Sequence, residues 1–341
     1  MSAPLRHHPA AGRRPATGPS AQVATRTVLT VGVIGAGRVG ATLGAALAAA
    51  GHRVVAATGL SGASRARLAL LLPTVPRRSA AAVARAATDL LLIAVPDDAL
   101  AGVVADLAAD GVLRPGQVVA HTSGAHGLAV LAPAAAAGAR PLALHPAMTF
   151  TGTPGDLGRL PGISYGVTAP AELRPLAARL VADLGGVPEW IGEADRPLYH
   201  AALAHGANHL VTLVNEAADR LRDAGVGQPE KVLGPLLRAA LENALSLGDD
   251  ALTGPVSRGD AGTVQRHLAR LAATAPESVA PYLALARRTA DRAVAAGRLR
   301  PVDAEPLLGV LGRDQTRAAE AGHQLGGQQA QPGAERSEVA A

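Results

Sequence analysis

The chain's 341 residues are enough for two domains, and the lack of cysteine excludes disulfides, thiolate metal centres, iron–sulfur clusters and a cysteine nucleophile. Arg6, Arg13, Arg14 and Arg26 supply most of the net charge of +5 from an acid-free opening segment, so the remainder is nearly neutral, and the few aromatic residues cannot form base-stacking platforms; nucleic acid is not an expected partner. No run approaches the roughly 18 apolar residues of a membrane span, and no apolar stretch follows the first arginines as it would in a signal peptide, so a cytoplasmic protein with no membrane partner is expected.

Residues 1–27, rich in Pro, Gly, Ala and Arg, cannot build a core and are expected to be a disordered tail, as are residues 319–341. The apolar run 28–34 suits a buried parallel strand. It leads into Gly35-Ala36-Gly37-Arg38-Val39-Gly40 and then an Ala/Leu helix that stops at Gly51. This is the dinucleotide-binding pattern in its required setting: Gly35 for the tight turn, Gly37 for close approach of a pyrophosphate, Gly40 for helix–strand packing. The helix N-terminus then faces the phosphate charge. A second strand, 53–57, runs on into Ser61, Ser64, Arg65 and Arg67 with no acid. An NAD-selective site places Asp or Glu there, whereas hydroxyls and arginines suit a 2′-phosphate, so the expected cofactor is NADP(H). The alternative is that Arg65 and Arg67 begin a solvated helix.

The strand through 90–95 ends in Pro96-Asp97-Asp98, with a helix from about Ala99. Strand 117–120 ends in His121-Thr122-Ser123-Gly124, and strand 142–144 in His145-Pro146. Strands 163–167 and 187–191 flank a helix over 171–184, giving seven or eight strands that close near residue 193. Beyond it the segments 199–224, 229–247, 259–273 and 279–295 all read as helices. The expected architecture is a doubly wound, mostly parallel α/β Rossmann domain over 28–193 and an all-α substrate and dimerisation domain over 194–318. A small-molecule substrate is expected in the cleft between them, and a homodimer through the helical part.

The candidates for chemistry follow from position. His121 and His145 each end a strand, at the edge of the ligand crevice, where the alternative role is a hydrogen bond that stabilises the loop. His200, His205, His209 and Asn208 share one expected helix. His205 and His209 have the i, i+4 spacing of a helical metal pair, but no third ligand is evident and no metal is expected. Asn208 among apolar neighbours is expected to be buried, hydrogen-bonded to substrate, nicotinamide or backbone. Arg258 and Asp260 lie in a dense turn, where they either cap the next helix or place Arg258 on a substrate carboxylate. Lys231, the only lysine, reads as an exposed first turn.

Together these motifs resemble the Rossmann-like proteins that carry the domain of unknown function DUF2520, relatives of the pyrroline-5-carboxylate and 6-phosphogluconate dehydrogenase group. The resemblance runs from about Val28 to Leu311. It rests on the glycine turn, Ala94-Val95-Pro96-Asp97, His121-Thr122-Ser123-Gly124, His145-Pro146 with Thr149-Phe150, Tyr199-His200 with Asn208, and Gly254-Pro255 with Arg258-Gly259-Asp260. It implies an NADP-dependent reductase with Ala94, Val95, Pro96, Thr122 and Ser123 along the cofactor. One branch looks like an alternative ketopantoate reductase of pantothenate biosynthesis. On that model a small 2-oxo acid, 2-dehydropantoate first, is reduced with His200 or His145 as proton donor. Ser123 and Asn208 then orient the carbonyl, and Arg258 binds the carboxylate. An imine reductase of the pyrroline-5-carboxylate type and a non-catalytic NADP(H) sensor are the alternatives.

Overall fold

The structure, a computed structural model, describes residues 27–312. Apart from Thr27, the tails expected at 1–27 and 319–341 lie outside the described residues. The chain divides into two compact units, one through Ala204 and one from His205.

The first unit is built on a seven-stranded sheet: β1 (Thr30–Ile34), β2 (Arg53–Ala57), β3 (Leu90–Ile93), β4 (Val118–His121), β5 (Arg140–Pro146), β6 (Ser164–Thr168) and β7 (Val187–Trp190), in the order β2-β1-β3-β4-β5-β6-β7. All neighbours are parallel except β5 and β6, which run antiparallel with His145 opposite Gly166. Both faces of the sheet are covered. Leu90 and Leu92 enter one apolar cluster and Leu91 and Ile93 the other, the two-faced burial that makes a central parallel strand apolar throughout. Helices α1 (Arg38–Ala49), α2 (Gly62–Leu71), α3 (Ala80–Ala86), α4 (Asp97–Ala109), α5 (Ala132–Ala136), α6 (Arg174–Asp183) and α7 (Arg196–Leu203) complete the unit. Sequence reasoning offered α2 only as the alternative in which Arg65 and Arg67 begin a solvated helix, and it did not single out α3 or α5. All three are short and Ala-containing, and in α2 only Leu68 is buried, so periodicity offers little signal.

Connections reverse direction between β1 and β3, and ligands of open α/β sheets bind beyond the strand ends at that point. The Gly35–Gly40 turn follows β1 and Ala94–Asp97 follows β3, so both stand at the reversal.

The segment expected as one helix over 199–224 is interrupted by a π-helical turn, Ala204–Asn208, where the first unit ends, and α8 (His209–Asp223) follows in the second unit. Then come α9 (Pro229–Leu247), α10 (Ala261–Thr274), α11 (Val279–Ala295) and a helix over 301–312. The last three share a core of Val264, Leu268, Leu283, Ala286, Leu307 and Val310. By contrast α8 buries only Ala218, and α9 only Pro229 and Leu233. Among the described residues no helix is long and apolar enough to cross a membrane.

The loop after β5 is held by one carboxylate. Asp156, 1 % exposed, accepts the amides of Thr151 (2.9 Å) and Gly152 (2.7 Å) and the Thr151 hydroxyl (2.8 Å). A Cβ on Gly152, at φ +77°, would meet Arg67 Nε at 2.5 Å and Arg38 Cγ at 3.1 Å, so the loop passes close under both arginines. Burial raises the Asp156 pKa, but the Thr151 and Gly152 bonds outweigh it and hold the carboxyl below its ordinary value. A depressed folded-state value contributes stability above the unfolded value near pH ~3.9, lost as pH falls through the lower folded one. Asp156→Ala is expected to cost about 1–3 kcal/mol in urea unfolding at neutral pH. That deficit should shrink below about pH 4.

Candidate active site

The glycine turn has the shape a pyrophosphate requires. Gly35 has φ +94°, and a Cβ there would collide with the Ala94 carbonyl; a Cβ on Gly40 would collide with the Gly35 carbonyl. Gly37 has no neighbour within 4 Å of its Cβ position, leaving the helix N-terminus of α1 open to an anion. Thr58, at the end of β2, braces the turn: its hydroxyl accepts the Gly35 amide (2.7 Å) and its carbonyl the Ala36 amide (2.8 Å). These residues fit a dinucleotide.

After β2, Ser61 caps α2 by accepting the Ser64 amide (3.0 Å), and the Ser64 hydroxyl donates to the Ser61 carbonyl (2.9 Å). The two hydroxyls therefore shape the helix start first. The Arg65 guanidinium rests on the Leu60 carbonyl at 2.6 Å, and Arg77 reaches the Gly59 carbonyl at 3.5 Å. Two guanidinium groups thus sit on successive carbonyls where a ribose 2′-substituent would be read. Arg77 comes from a bridge to Ala57, a non-local pairing that no local pattern announces.

A cavity of about 390 Å³ opens beside the turn. Gly37, Arg38 and Val39 line it from α1, Ala94, Val95, Pro96 and Asp97 from the end of β3, and Thr122, Ser123 and Gly124 from the end of β4, with His145 and His200 completing it. Sequence motifs spread over more than 160 residues therefore meet in a single hollow.

The two strand-end histidines have different work. His121 is fully buried; its Nε2 bonds the Gly127 carbonyl (2.8 Å) and its Nδ1 accepts the Ser123 amide (3.2 Å). It stabilises the loop, and burial lowers its pKa to about 4. His145 lines the cavity, its ring 6.0 Å from that of His200 and its Nδ1 2.9 Å from the Tyr199 hydroxyl. Burial and then the His200 and Arg196 charges lower it too to about 4, so it is neutral at physiological pH. The Ser123 hydroxyl accepts the His126 amide (3.1 Å) and keeps its own proton to donate.

Helix α7 delivers Arg196, Tyr199 and His200 from one face, at i, i+3 and i+4. Arg196, with no exposure, donates to the Ser123, Ala143 and Gly166 carbonyls and to the Thr168 hydroxyl. Sequence reasoning assigned no role to Arg196 or Gly166; the available signals were the helical spacing and a glycine inside a strand, which marks a close approach.

Asn208 and Arg258 belong to the second unit, and the cavity wall comes from the first. Asn208 is exposed rather than buried, because its apolar neighbours Leu210 and Val211 are themselves 38 % and 58 % exposed. Arg258 is exposed in a separate hollow with Asp250, Thr253 and Arg298. Asp260 caps α10 by accepting the Thr263 amide (2.9 Å). His205 and His209 bond each other through their Nδ1 atoms at 3.1 Å on an exposed surface. Among the described residues no group of three or more His, Asp or Glu could hold a metal ion.

Residues 16–146 match the model of a Rossmann-like domain, and residues 163–289 that of the domain of unknown function DUF2520. No curated protein sequence matches the chain. Among solved structures it is similar to a Bacteroides fragilis protein assigned as an NADP oxidoreductase: 22 % identity, 77 % of this chain and 98 % of that one, TM-score 0.67. It is also similar to Plasmodium falciparum pyrroline carboxylate reductase with NADP bound: 13 % identity, 78 % and 98 % covered, TM-score 0.51. A third is a variant imine reductase from Myxococcus stipitatus in complex with NAD+: 19 % identity, 80 % and 96 % covered, TM-score 0.52. At these identities the likeness shows a shared fold. The chain thus carries a Rossmann-like domain and a DUF2520 domain, the two that its motifs resemble.

Proposed function

We propose that the protein is an NADPH-dependent reductase of a small carbonyl substrate, a 2-oxo acid of the 2-dehydropantoate type. The observation that carries this reading is the joining of an anion-ready glycine turn, two strand ends, Ser123 and a pair of imidazoles around one cavity. When bound, the reduced dinucleotide supplies the hydride. The chain's own contribution is to hold the carbonyl by hydrogen bonds from Ser123 and the imidazoles, and to deliver a proton to its oxygen from His145 or His200. Arg65 and Arg77 would pair with a 2′-phosphate and select NADPH.

A cyclic imine is the second reading, favoured by two of the similar structures being described as pyrroline carboxylate and imine reductases. Loss of NADPH absorbance with 2-dehydropantoate, run beside pyrroline-5-carboxylate and beside NADH, separates the two. NADPH-specific turnover of the 2-oxo acid is expected; turnover of the imine alone would transfer the assignment. NADPH binding without turnover of any substrate would leave a nucleotide sensor.

Two substitutions probe the roles. Arg65→Ala is expected to weaken NADPH by about tenfold or more while changing NADH by no more than about twofold, since it removes a charge-assisted contact to the 2′-phosphate alone. His200→Ala should lower turnover far more than NADPH affinity, and equal turnover would remove His200 from the mechanism.

We further infer that a second copy of the chain covers the helical unit. Leu236, Leu241, Leu245 and Leu247 of α9 are 61, 52, 81 and 56 % exposed, too much apolar surface along one helix for a solitary soluble molecule. Light scattering should give a dimer mass, and Leu245→Glu should shift it toward the monomer.

A further inference from the structure

A proton donor at the cavity meets an electrostatic obstacle. With its pKa lowered to about 4, His145 is protonated in only about one molecule in a thousand at pH 7. His200, Arg196 and His121 all oppose a positive charge on the ring, while Asp97 favours one. An imidazolium is thus the wrong species to invoke at this position.

The geometry around the ring offers another source. Gly166 lies directly opposite His145 across the antiparallel β5–β6 pair, and directly opposed residues share one face of the sheet. A Cβ on Gly166 would stand 2.5 Å from the Tyr199 hydroxyl oxygen, so the phenol occupies the space that the missing side chain leaves. There its oxygen is 2.9 Å from His145 Nδ1. Burial pushes the phenol pKa up, so Tyr199 carries its proton at neutral pH and can donate it to Nδ1. The other ring nitrogen, Nε2, lies toward Gly124, where a Cβ would come within 3.0 Å of it and where both residues line the cavity.

We propose that Tyr199, admitted by Gly166, is the positioning residue that holds His145 as its Nε2–H tautomer and resupplies the proton that Nε2 gives to the substrate oxygen. The proposal rests on the reductase reading. As the substrate oxygen becomes negative, the Nε2–H bond breaks and the substrate O–H bond forms. Nδ1 takes the Tyr199 proton in the same event, so the imidazole is neutral before and after. The phenolate left behind lies beside Arg196, whose guanidinium carbon is 6.0 Å from the ring centroid, until it takes back the Nδ1 proton as water from the cavity reprotonates Nε2. An alkoxide is a much stronger base than a phenolate, so the net transfer runs downhill.

The test combines a spectroscopic and a kinetic readout on the full chain. Ring 15N shifts of His145, assigned with His145→Gln, should show the Nε2–H tautomer in the parent protein and a mixture in Tyr199→Phe. Turnover of the parent should be flat from about pH 6 to 9, because no imidazolium is consumed. In Tyr199→Phe it should fall about 10–100-fold, with NADPH affinity kept within about twofold. Gly166→Ala, which displaces the phenol without removing it, should reproduce the tautomer change if Tyr199→Phe folds poorly. Parent turnover that collapses between about pH 6 and 7, or a Tyr199→Phe protein with unchanged tautomer and rate, would overturn the proposal. If no substrate turns over, the reductase reading and the relay fail together; a tautomer that depends on Tyr199 would still uphold the positioning role.

Discussion

One buried guanidinium organises the first unit's active edge. Arg196 has no exposed surface, and its four hydrogen bonds all end on neutral oxygens, at Ser123, Ala143, Gly166 and Thr168. A buried charge is expensive unless its donors are satisfied, and here the bonds tie the end of β4, the middle of β5 and the length of β6 to the first turn of α7. The same charge then acts on its surroundings. It opposes protonation of His121 and His145 and favours ionisation of Tyr199. Arg196 therefore fixes position at the cavity and, second to burial, contributes to protonation there.

Burial, with that field added to it, explains why two histidines in equivalent sequence positions behave alike in charge, and their partners explain why they differ in use. Both lie at strand ends and both are neutral. His121 spends its two nitrogens on the Gly127 carbonyl and the Ser123 amide, closing a loop that Glu193 also holds by accepting the Leu128 and Ala129 amides. His145 spends only Nδ1 on the protein. A neutral imidazole with one nitrogen committed and the other free toward a cavity has a defined polarity, and its partner sets that polarity. Backbone partners make His121 a brace, and a phenol makes His145 available for chemistry.

Most of the first unit was legible in the sequence, since strand burial on both faces, glycine turns and strand ends leave local marks. The glycine turn, Ala94–Asp97, Thr122-Ser123 and His145 all line the cavity they were expected to share. The parts that were missed depend on distant pairing. Arg77 reaches the Gly59 carbonyl only through its bridge to Ala57. Gly166 gains meaning only opposite His145, and a hydrophobic pattern of period two reads the same whichever way a strand runs. Asn208 misled for a related reason: apolar neighbours imply burial only when something covers them, and α8 and α9 are largely bare.

The reversal of β6 is therefore more than a topological detail. A parallel β6 would reach the sheet through a crossover and carry a different register against β5. The antiparallel pairing sets Gly166 against His145 and Thr168 against Ala143. Arg196 accordingly finds the Gly166 and Ala143 carbonyls and the Thr168 hydroxyl close together, while the absent side chain of Gly166 admits Tyr199. A one-residue slip would set a side-chain-bearing neighbour, Tyr165 or Val167, opposite His145 and turn the glycine gap away from the imidazole. The large residues Tyr165 and Val167 oppose that slip, because both are fully buried in the cluster on the other face and would have to leave it. Core packing on one face of β6 thus maintains the register on which the chemistry of the other face depends.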